Sequence, residues 1–470
     1  MKTAETGTGT NGKYDLTEGG ILDRLLLVAL PIIGTQLMMM SYNMVDVFLL
    51  GRVGHEAVAA SGMAGMYTWL SAGVMLIGRT GAEIGVAQNL GRRDAESARK
   101  FALCSIYLNL GLGLAFGAVC LIFARPMIGF FRMSDAAVAK SAMNYLSIVA
   151  VGMPALFASA AVAGTFNGSG NSRVPFMINA AGLLTNAVLD PIFIFTFGLG
   201  VGGAAIATVL AQVAAAGLAL ASLALKNGRP FERFVFLMKP EARFFADILR
   251  WSFPMTIESM LFTVFTIIVS RIVAGFGPGA MAVYRVGTQI ESLGWLVGMG
   301  ISTAVTAFVG QNYGAGAWER IRRGVRISAS SSFAWGAIVT ALLFFAGGPL
   351  FWFFLPDPAL LGMGRSFLRI LAACQIFGCL EAASSGAFRG FGRTLPPSAV
   401  SITSNTLRIP LAYALSGRLG IDGVWIAITV SASLRGLCTF AWFLTDIAAR
   451  LKNAPASDNA VSSRTSREQR

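Results

Sequence analysis

The two halves of this chain repeat each other at an offset of 223 residues, as between Gln88 and Gln311. The segment VAQNLG at residues 86–91 recurs as VGQNYG at residues 309–314. The segment GTFNGSG at residues 164–170 recurs as GAFRGFG at residues 386–392. A duplicated chain is expected to fold as two similar units packed together. When it is also apolar, the pattern is typical of transporters whose substrate path lies between two repeats.

The composition indicates a membrane protein, since 55% of the residues are hydrophobic and 13% are charged. Twelve runs are long enough to cross a bilayer. They begin near Leu26, Ala57, Phe101, Ser141, Pro175, Val201, Ile248, Met281, Ile327, Leu360, Ser398 and Ile421. The sequence therefore predicts an all-α polytopic membrane protein of twelve transmembrane helices.

The helices divide into two homologous six-helix lobes, an N-lobe at residues 20–225 and a C-lobe at residues 245–447. Because each lobe begins on the same side and holds an even number of spans, the repeats are parallel. We expect a polar N-terminus at residues 1–19, a basic linker at residues 226–244 and a disordered basic tail at residues 448–470.

The net charge of +14 is distributed unevenly. If the N-terminus is inside, the even-numbered connections hold most of the arginines and lysines, which is the positive-inside pattern. This distribution predicts cytoplasmic termini, a bacterial plasma (inner) membrane location and no nucleic-acid partner. Residues 1–19 lack a cleavable-signal layout, so helix 1 is expected to direct insertion. The basic residues assigned to these connections are Arg92, Arg93, Arg99, Lys100, Arg173, Lys226, Arg229, Arg233, Lys239, Arg243, Arg250, Arg320, Arg322, Arg323, Arg326, Arg389 and Arg393.

Charged residues within spans cost at least about 3 kcal/mol each and therefore indicate function. In the first lobe, Asp46 lies in helix 1, and Asn186 and Asp190 share one face of helix 5. Pro191 frees a backbone carbonyl and favours a kink, and Thr208 in helix 6 adds a hydroxyl. These oxygen groups suit a small cation such as Na⁺, or two carboxylates that share a proton. The alternative is a hydrogen-bond cluster that serves only packing.

The second lobe lacks this pair, since Val269 and Ile409 stand at the positions that correspond to Asp46 and Asp190. It carries Glu258 and Glu291 instead. These acids, with Asn43 of helix 1, are candidates for substrate binding or proton relay. For the two glutamates, a salt bridge to a second-lobe arginine is the favoured alternative. The arginines concerned are Arg271, Arg285, Arg408 and Arg435.

Three further features are read as structural. Arg79 and Glu83 are four residues apart in helix 2 and are expected to pair. Pro31 and Pro254 occupy equivalent positions, and with Pro191 they are expected to shape their helices. The five cysteines lie in apolar runs and are expected to be buried. A single histidine excludes a histidine relay and a multi-histidine metal site.

Several of these motifs resemble the multidrug and toxic compound extrusion (MATE) transporters. They are YNMVD at residues 42–46, the Asn186–Pro191 segment, the repeated Gln-Asn-x-Gly and Gly-x-Phe-x-Gly-x-Gly segments, and RVGTQIES at residues 285–292. The resemblance extends over about residues 20–447 and is nearest to the DinF-like branch. It implies a V-shaped cavity between the lobes and export of organic, often cationic, compounds against a proton or sodium gradient. It also implies a cation site at Asp46, Asn186, Asp190 and Thr208.

The sequence therefore predicts a secondary antiporter that works as a monomer without a cofactor, coupled to H⁺ or Na⁺. A flippase for a lipid-linked or amphipathic substrate is the first alternative, because of the second-lobe arginines. A membrane-embedded enzyme would need a nucleophile–base pair or a metal site in the spans, and none is evident. A passive channel is disfavoured because no repeated pore loop is found.

Overall fold

The fold is seen in a computed structural model that describes residues 14–131, 135–224, 230–231, 234–236 and 239–452. The first lobe begins with a long helix and contains one short helix between two spans. Its helices are α1 (Ile21–Val53), α2 (His55–Gly91), α3 (Ala95–Ile122), α4 (Ala124–Gly129), α5 (Ala136–Gly168), α6 (Arg173–Pro191) and α7 (Gly200–Ala224), with a π-helical turn (Ile192–Thr196) between the last two.

The second lobe repeats this order. Its helices are α8 (Ala242–Ala274), α9 (Pro278–Gly314), α10 (Trp318–Phe354), α11 (Pro358–Ala372), α12 (Gln375–Gly390), α13 (Leu395–Leu419) and α14 (Ile421–Lys452). Helices α11 and α12 meet at a bend of 45° and together are long and apolar enough to cross a membrane. The predicted all-α, two-lobed fold is confirmed, and each of the twelve predicted apolar runs begins within nine residues of the start of a helix.

Ten helices of the described chain are long and apolar enough to cross a membrane, and the bent pair makes an eleventh span. The twelfth predicted run corresponds to α13, which packs against α8 and α14. It is less apolar because it includes Asn405, Arg408 and several serines and threonines. Many large apolar side chains on the other helices are exposed, which is the pattern of a lipid-facing surface.

Helix boundaries follow from ordinary capping chemistry. The side chain of Asp94 accepts a hydrogen bond from the Ser97 amide at 2.9 Å and begins α3. Asp135 and Asp357 cap α5 and α11 in the same way. Gly54 and Gly277, which occupy equivalent positions, have φ values of 148° and 102° and separate the first two helices of each lobe.

Most of each Gly-x-Phe-x-Gly-x-Gly segment is helical. Residues 164–168 end α5 and residues 386–390 end α12. Only Gly170 and Gly392 have positive φ values, 87° and 71°, and these residues make the turns. The close packing of the helical glycines against the neighbouring helix explains their presence, since a Cβ at Gly164 would lie 2.2 Å from the Arg79 carbonyl oxygen.

The initial half of the first helix of each lobe packs on the other lobe. The initial half of α1 packs in an apolar cluster with α9, α10, α12 and α14 of the second lobe, through residues such as Val28 and Ile32. The initial half of α8 packs in the first-lobe core through Phe244 and Ile248. Phe231 and Phe234 of the linker are buried in that same core, although the linker was predicted from its charge alone.

Reciprocal contacts join the lobes where α2 and α9 end. The side-chain amide of Gln88 donates to the Gly390 carbonyl at 2.9 Å, and that of Gln311 donates to the Gly168 carbonyl at 3.0 Å. A Cβ at Gly91 would lie 1.9 Å from the Gln311 carbonyl oxygen, and one at Gly314 would lie 2.0 Å from the Gln88 carbonyl oxygen. We call this region the closed end. It lies at the same end of the bundle as the residues that precede α1.

Residues 1–13 and 453–470, which hold most of the predicted N-terminal segment and tail, lie outside the described chain. Four of the cysteines are buried as expected, but Cys438 is exposed.

Candidate functional site

Three helices of the first lobe bring the predicted polar residues together. Asp46 lies on α1, Asn186 and Asp190 lie on α6, and Thr208 lies on α7. Helix α1 packs against both α6 and α7, so the side chains face a common interior. Asp46 and Asp190 interact electrostatically, which places the two carboxylates in one site.

The two α6 residues form a buried hydrogen-bonded pair. Asn186 Nδ2 donates to Asp190 Oδ1 at 3.2 Å, as expected for residues one helical turn apart. Asn186 and Asp190 are each 1% exposed. No arginine or lysine forms an ion pair with Asp46 or Asp190 among the described residues.

Several oxygen atoms of this site are buried without a hydrogen-bond donor in the described chain. They are Oδ1 of Asp46, Oδ2 of Asp190 and Oδ1 of Asn186. Buried polar atoms in folded proteins nearly always have a partner, so three unsatisfied oxygens in one site require an explanation. A proton or a small cation would satisfy them, and carboxylate and amide oxygens are ligands that fit Na⁺ as well as a shared proton.

Two tyrosines complete the site and were not identified as site residues from the sequence. Tyr42 lies on α1 one turn before Asp46, and Tyr145 lies on α5. Both phenols interact with the Thr208 hydroxyl and with the two aspartates. Thr208 itself donates to the Ala204 carbonyl at 2.9 Å, so its lone pairs remain turned to the site. A phenol within an apolar span was the available signal, because a buried tyrosine hydroxyl needs a polar neighbour.

Pro191 ends the regular part of α6, which continues directly as the π-helical turn Ile192–Thr196. Proline removes one donor from the helical ladder, and a π-turn is the local adjustment that follows here. The π-helical turn therefore begins two residues after Asp190. Pro31 and Pro254 lie within helices that continue past them, and the Pro31 carbonyl accepts from Thr35 Oγ1 at 3.0 Å.

The second lobe has no equivalent acidic site. Val269 is buried in the apolar core of this lobe, and Ile409 lies on α13. Glu258 accepts from Ser398 at 2.7 Å, and Glu291 accepts weakly from Gln375 at 3.4 Å. The favoured prediction of a salt bridge was wrong for both glutamates, since neither has an ion pair within 4.0 Å in the described chain.

The second lobe contains a buried ion pair that was not predicted from the sequence, because it involves Glu381. Arg435 Nε lies 2.8 Å from Glu381 Oε2, and both side chains are at least 90% buried. Arg435 also lies over the Trp295 ring, 5.4 Å from its centroid. Glu381 is on α12 and Arg435 on α14, so their distance in sequence concealed the pair.

The predicted Arg79–Glu83 ion pair is not made. Glu83 is 5% exposed, and its Oε1 has no hydrogen-bond partner among the described residues. Its electrostatic partners are Arg389 of the second lobe first and Arg79 second. Arg389 was assigned to a connection, but it lies on α12 and donates a short hydrogen bond to Ser302. No ion pair within 4.0 Å is made by Glu83 in the described chain, and the arginines near it come from both lobes.

Asn43 was predicted as a substrate or relay residue, but its side chain lies outside the described part of the chain.

Two parallel lobes with an acidic site inside one of them define a class of protein, the polytopic secondary transporters built from repeats.

The model of the MatE family matches residues 31–192 and again residues 254–414, once in each lobe. The chain therefore belongs to the MatE family, the transporters that its motifs resemble. It is a multi-pass membrane transporter and not an enzyme.

Similar proteins agree with this assignment over nearly the whole chain. A probable multidrug resistance protein NorM of Thermotoga maritima is 28% identical over 90% of this chain and 92% of its own length. A protein of Shewanella oneidensis named as an FAD transporter is 24% identical over 88% of this chain and 93% of its own length. A crystal structure of MATE in complex with MaD3S has the same fold, with a TM-score of 0.88 at 22% identity over 94% of this chain and 100% of that one.

Proposed function

We propose that this protein is a secondary antiporter that exports organic compounds, cationic or amphipathic, in exchange for H⁺ or Na⁺. The observation that carries the proposal is the set of unsatisfied buried oxygens on Asp46, Asn186 and Asp190. A site of this kind is costly to keep in a membrane span unless an ion occupies it for part of the cycle.

The names of the relatives support export of small organic molecules. The Thermotoga maritima relative is named as a multidrug resistance protein. The Shewanella oneidensis relative is named as a transporter of FAD, which is an anionic nucleotide cofactor. The names of similar chains therefore indicate different kinds of cargo. The absence of a cationic partner for the Asp46–Asp190 pair favours positively charged cargo or ions here.

Coupling requires that ion and cargo stabilise different arrangements of the lobes. The acidic site lies between α1, α6 and α7, and the initial half of α1 packs on the second lobe. Binding of an ion at Asp46 and Asp190 would therefore change the packing of α1, a helix that contacts both lobes. An ion that binds one arrangement better than the other shifts the equilibrium between them, and cargo that prefers the opposite arrangement is exchanged for it.

Both coupling ions fit the donor set. A proton would bridge or neutralise one of two neighbouring carboxylates, which cannot easily both be charged when buried together. A sodium ion would use carboxylate, amide and hydroxyl oxygens from Asp46, Asn186, Asp190 and Thr208. Either ion would be held by this chain alone, without another cofactor.

The orientation follows from charge. The closed end carries the basic residues of the even-numbered connections, including Arg92 and Arg322. The positive-inside rule places that end in the cytoplasm. We therefore place both termini in the cytoplasm of a bacterial cell, the protein in its plasma membrane as a monomer, and the opposite end of the lobes outside.

The test uses the purified protein in liposomes and a fluorescent organic cation. Uptake is followed under an imposed proton gradient alone and then under a sodium gradient alone. We expect one gradient to drive accumulation, and Asp190→Asn or Asp46→Asn to lower its initial rate by about 100-fold because the ion site loses a charge.

The matched control is Asp422→Asn. Asp422 is a second-lobe acid that accepts from Ser366 at 2.9 Å, far along the chain from the site. The control should keep the rate of the unchanged protein. Unaltered gradient-driven transport in Asp190→Asn would refute the coupling site, and no accumulation under either gradient would refute a cationic cargo.

A further inference from the structure

The residues that precede α1 lie between the two lobes at the closed end. Leu16 is fully buried. Its amide donates to Gln311 Oε1 at 3.0 Å, and its carbonyl accepts from Asn312 Nδ2 at 3.1 Å and from Arg320 Nε at 3.2 Å. All three partners belong to the second lobe. A short non-helical segment is thus fixed by three hydrogen bonds through a single residue.

The same segment also touches the first lobe. Gly170, in the turn between α5 and α6, has a φ of 87°, and a Cβ there would lie 2.5 Å from the Tyr14 carbonyl oxygen. That Cβ would also lie 3.2 Å from Leu16 Cγ. Gly170 therefore leaves the space in which the segment lies. Gln311, which holds Leu16 from the second lobe, donates at the same time to the first-lobe carbonyl of Gly168.

The duplication does not require this arrangement. The residue that corresponds to Leu16 before α8 is Lys239, which is exposed. Gln88 and Gln311 make the same contact across the interface, but among the described residues only Gln311 also accepts from a backbone amide of a preceding segment. The contact of Leu16 is thus an addition to a symmetric closed end.

We propose that residues 14–19, here named the N-terminal strap, are a conformational device that holds the lobes together at the closed end and must withdraw before they can separate there. Leu16 contacts both lobes, so it cannot keep all its partners when the lobes move apart. The strap therefore favours the arrangement that is closed at this end and sets how often the opposite arrangement is visited. The inference rests on the proposed alternation of two lobe arrangements.

The test measures the separation of the lobes directly. Spin labels are placed on cysteines that replace exposed Arg92 and Arg322, in a Cys438→Ser background that removes the exposed native thiol. Distances between the labels are then recorded for the full chain in lipid nanodiscs, without gradient or cargo. In Leu16→Asp we expect the ratio of separated to closed molecules to rise about tenfold or more, because burial of a leucine side chain is worth that much in an equilibrium.

Two further variants keep the test decisive. Leu16→Ala should raise the same ratio by a smaller factor and serves if Leu16→Asp does not fold. Glu18→Ala is the matched control, because the Glu18 side chain is exposed and the replacement keeps its carbonyl, which accepts from Arg24 at 3.1 Å and from Arg320 at 2.9 Å. Unchanged distances in both Leu16 variants would overturn the strap, and so would an equal change in Glu18→Ala. Since the labels report lobe separation without an ion gradient, failure of ion coupling would leave this result intact.

Discussion

The first lobe holds Asp46 and Asp190 on α1 and α6, whereas the second lobe has Val269 and Ile409 at the equivalent positions of α8 and α13. The second lobe instead holds a buried, hydrogen-bonded ion pair between Glu381 and Arg435. Its Glu258 and Glu291 lie singly and accept hydrogen bonds from Ser398 and Gln375. At the closed end the two lobes make equivalent contacts, with Gln88 and Gln311 forming the same hydrogen bond. The comparison shows that both copies keep the same packing, while in the described chain only the first lobe keeps two neighbouring acids with unsatisfied buried oxygens.

The largest effect that tests this contrast concerns the second-lobe ion pair. Arg435→Met should lower the free energy of unfolding by about 3–5 kcal/mol, because it leaves the Glu381 carboxylate buried without its partner. Thermal unfolding of the purified protein measures the loss. In the double variant Glu381→Leu with Arg435→Met, stability should return close to that of the unchanged protein.

Transport by that double variant tests whether the second-lobe ion pair takes part in ion coupling. If the second-lobe pair is structural, its gradient dependence should equal that of the unchanged protein. A double variant that is stable but uncoupled would assign ion coupling to both lobes and would end the contrast drawn here.

The next effect concerns the symmetric interface. Gly91→Ala and Gly314→Ala should each lower the free energy of unfolding by about 1–3 kcal/mol, since each added methyl group would overlap a carbonyl oxygen of the other lobe. The two losses should be similar. Gly111→Ala is the control, because no neighbouring atom lies within 4 Å of a Cβ there, and it should raise stability by up to about 1 kcal/mol. A large loss in only one interface variant would show that the closed end is less symmetric than its contacts.

The smallest effect compares two asparagines at equivalent positions. Asn186 and Asn405 are both buried, and both have an unsatisfied Oδ1 in the described chain. Replacement of either by alanine should cost about 1 kcal/mol of stability. Only Asn186→Ala should also change the ion concentration at half-maximal transport, by about fivefold, since only Asn186 contacts Asp190. Equal changes in both variants would remove the distinction between the lobes.

Much of the fold could be predicted from the sequence because membrane spans are defined by long apolar runs, which need no knowledge of their neighbours. The break at Ala373 and Cys374 between α11 and α12 could not, since neither residue is a proline or a glycine. The short helix α4 also went unpredicted, because six residues give too little periodicity to recognise.

Polar contacts within one helix could be predicted from the sequence, whereas contacts between helices could not, for a physical reason. Asn186 and Asp190 share a helix, so their spacing alone places them on one face. The same rule misled for Arg79 and Glu83, because it considers one helix, whereas Arg389 of the other lobe also lies near Glu83. Tyr145 and Glu381 contact partners more than fifty residues away, and a sequence without its fold gives no measure of such proximity.

The glycine crossing of α2 and α9 has a consequence for how the two copies could diverge after duplication. The Gln311 backbone leaves no space for a side chain at Gly91, and the Gln88 backbone leaves none at Gly314. A larger residue at either glycine would therefore require a matching change in the other half. Asp46 and Asp190 lie on helices of the first lobe, and the equivalent positions of the second lobe hold Val269 and Ile409, so the copies differ there while the crossing is kept. Residues at the crossing are thus constrained by both halves, whereas residues inside one lobe are constrained mainly by that lobe.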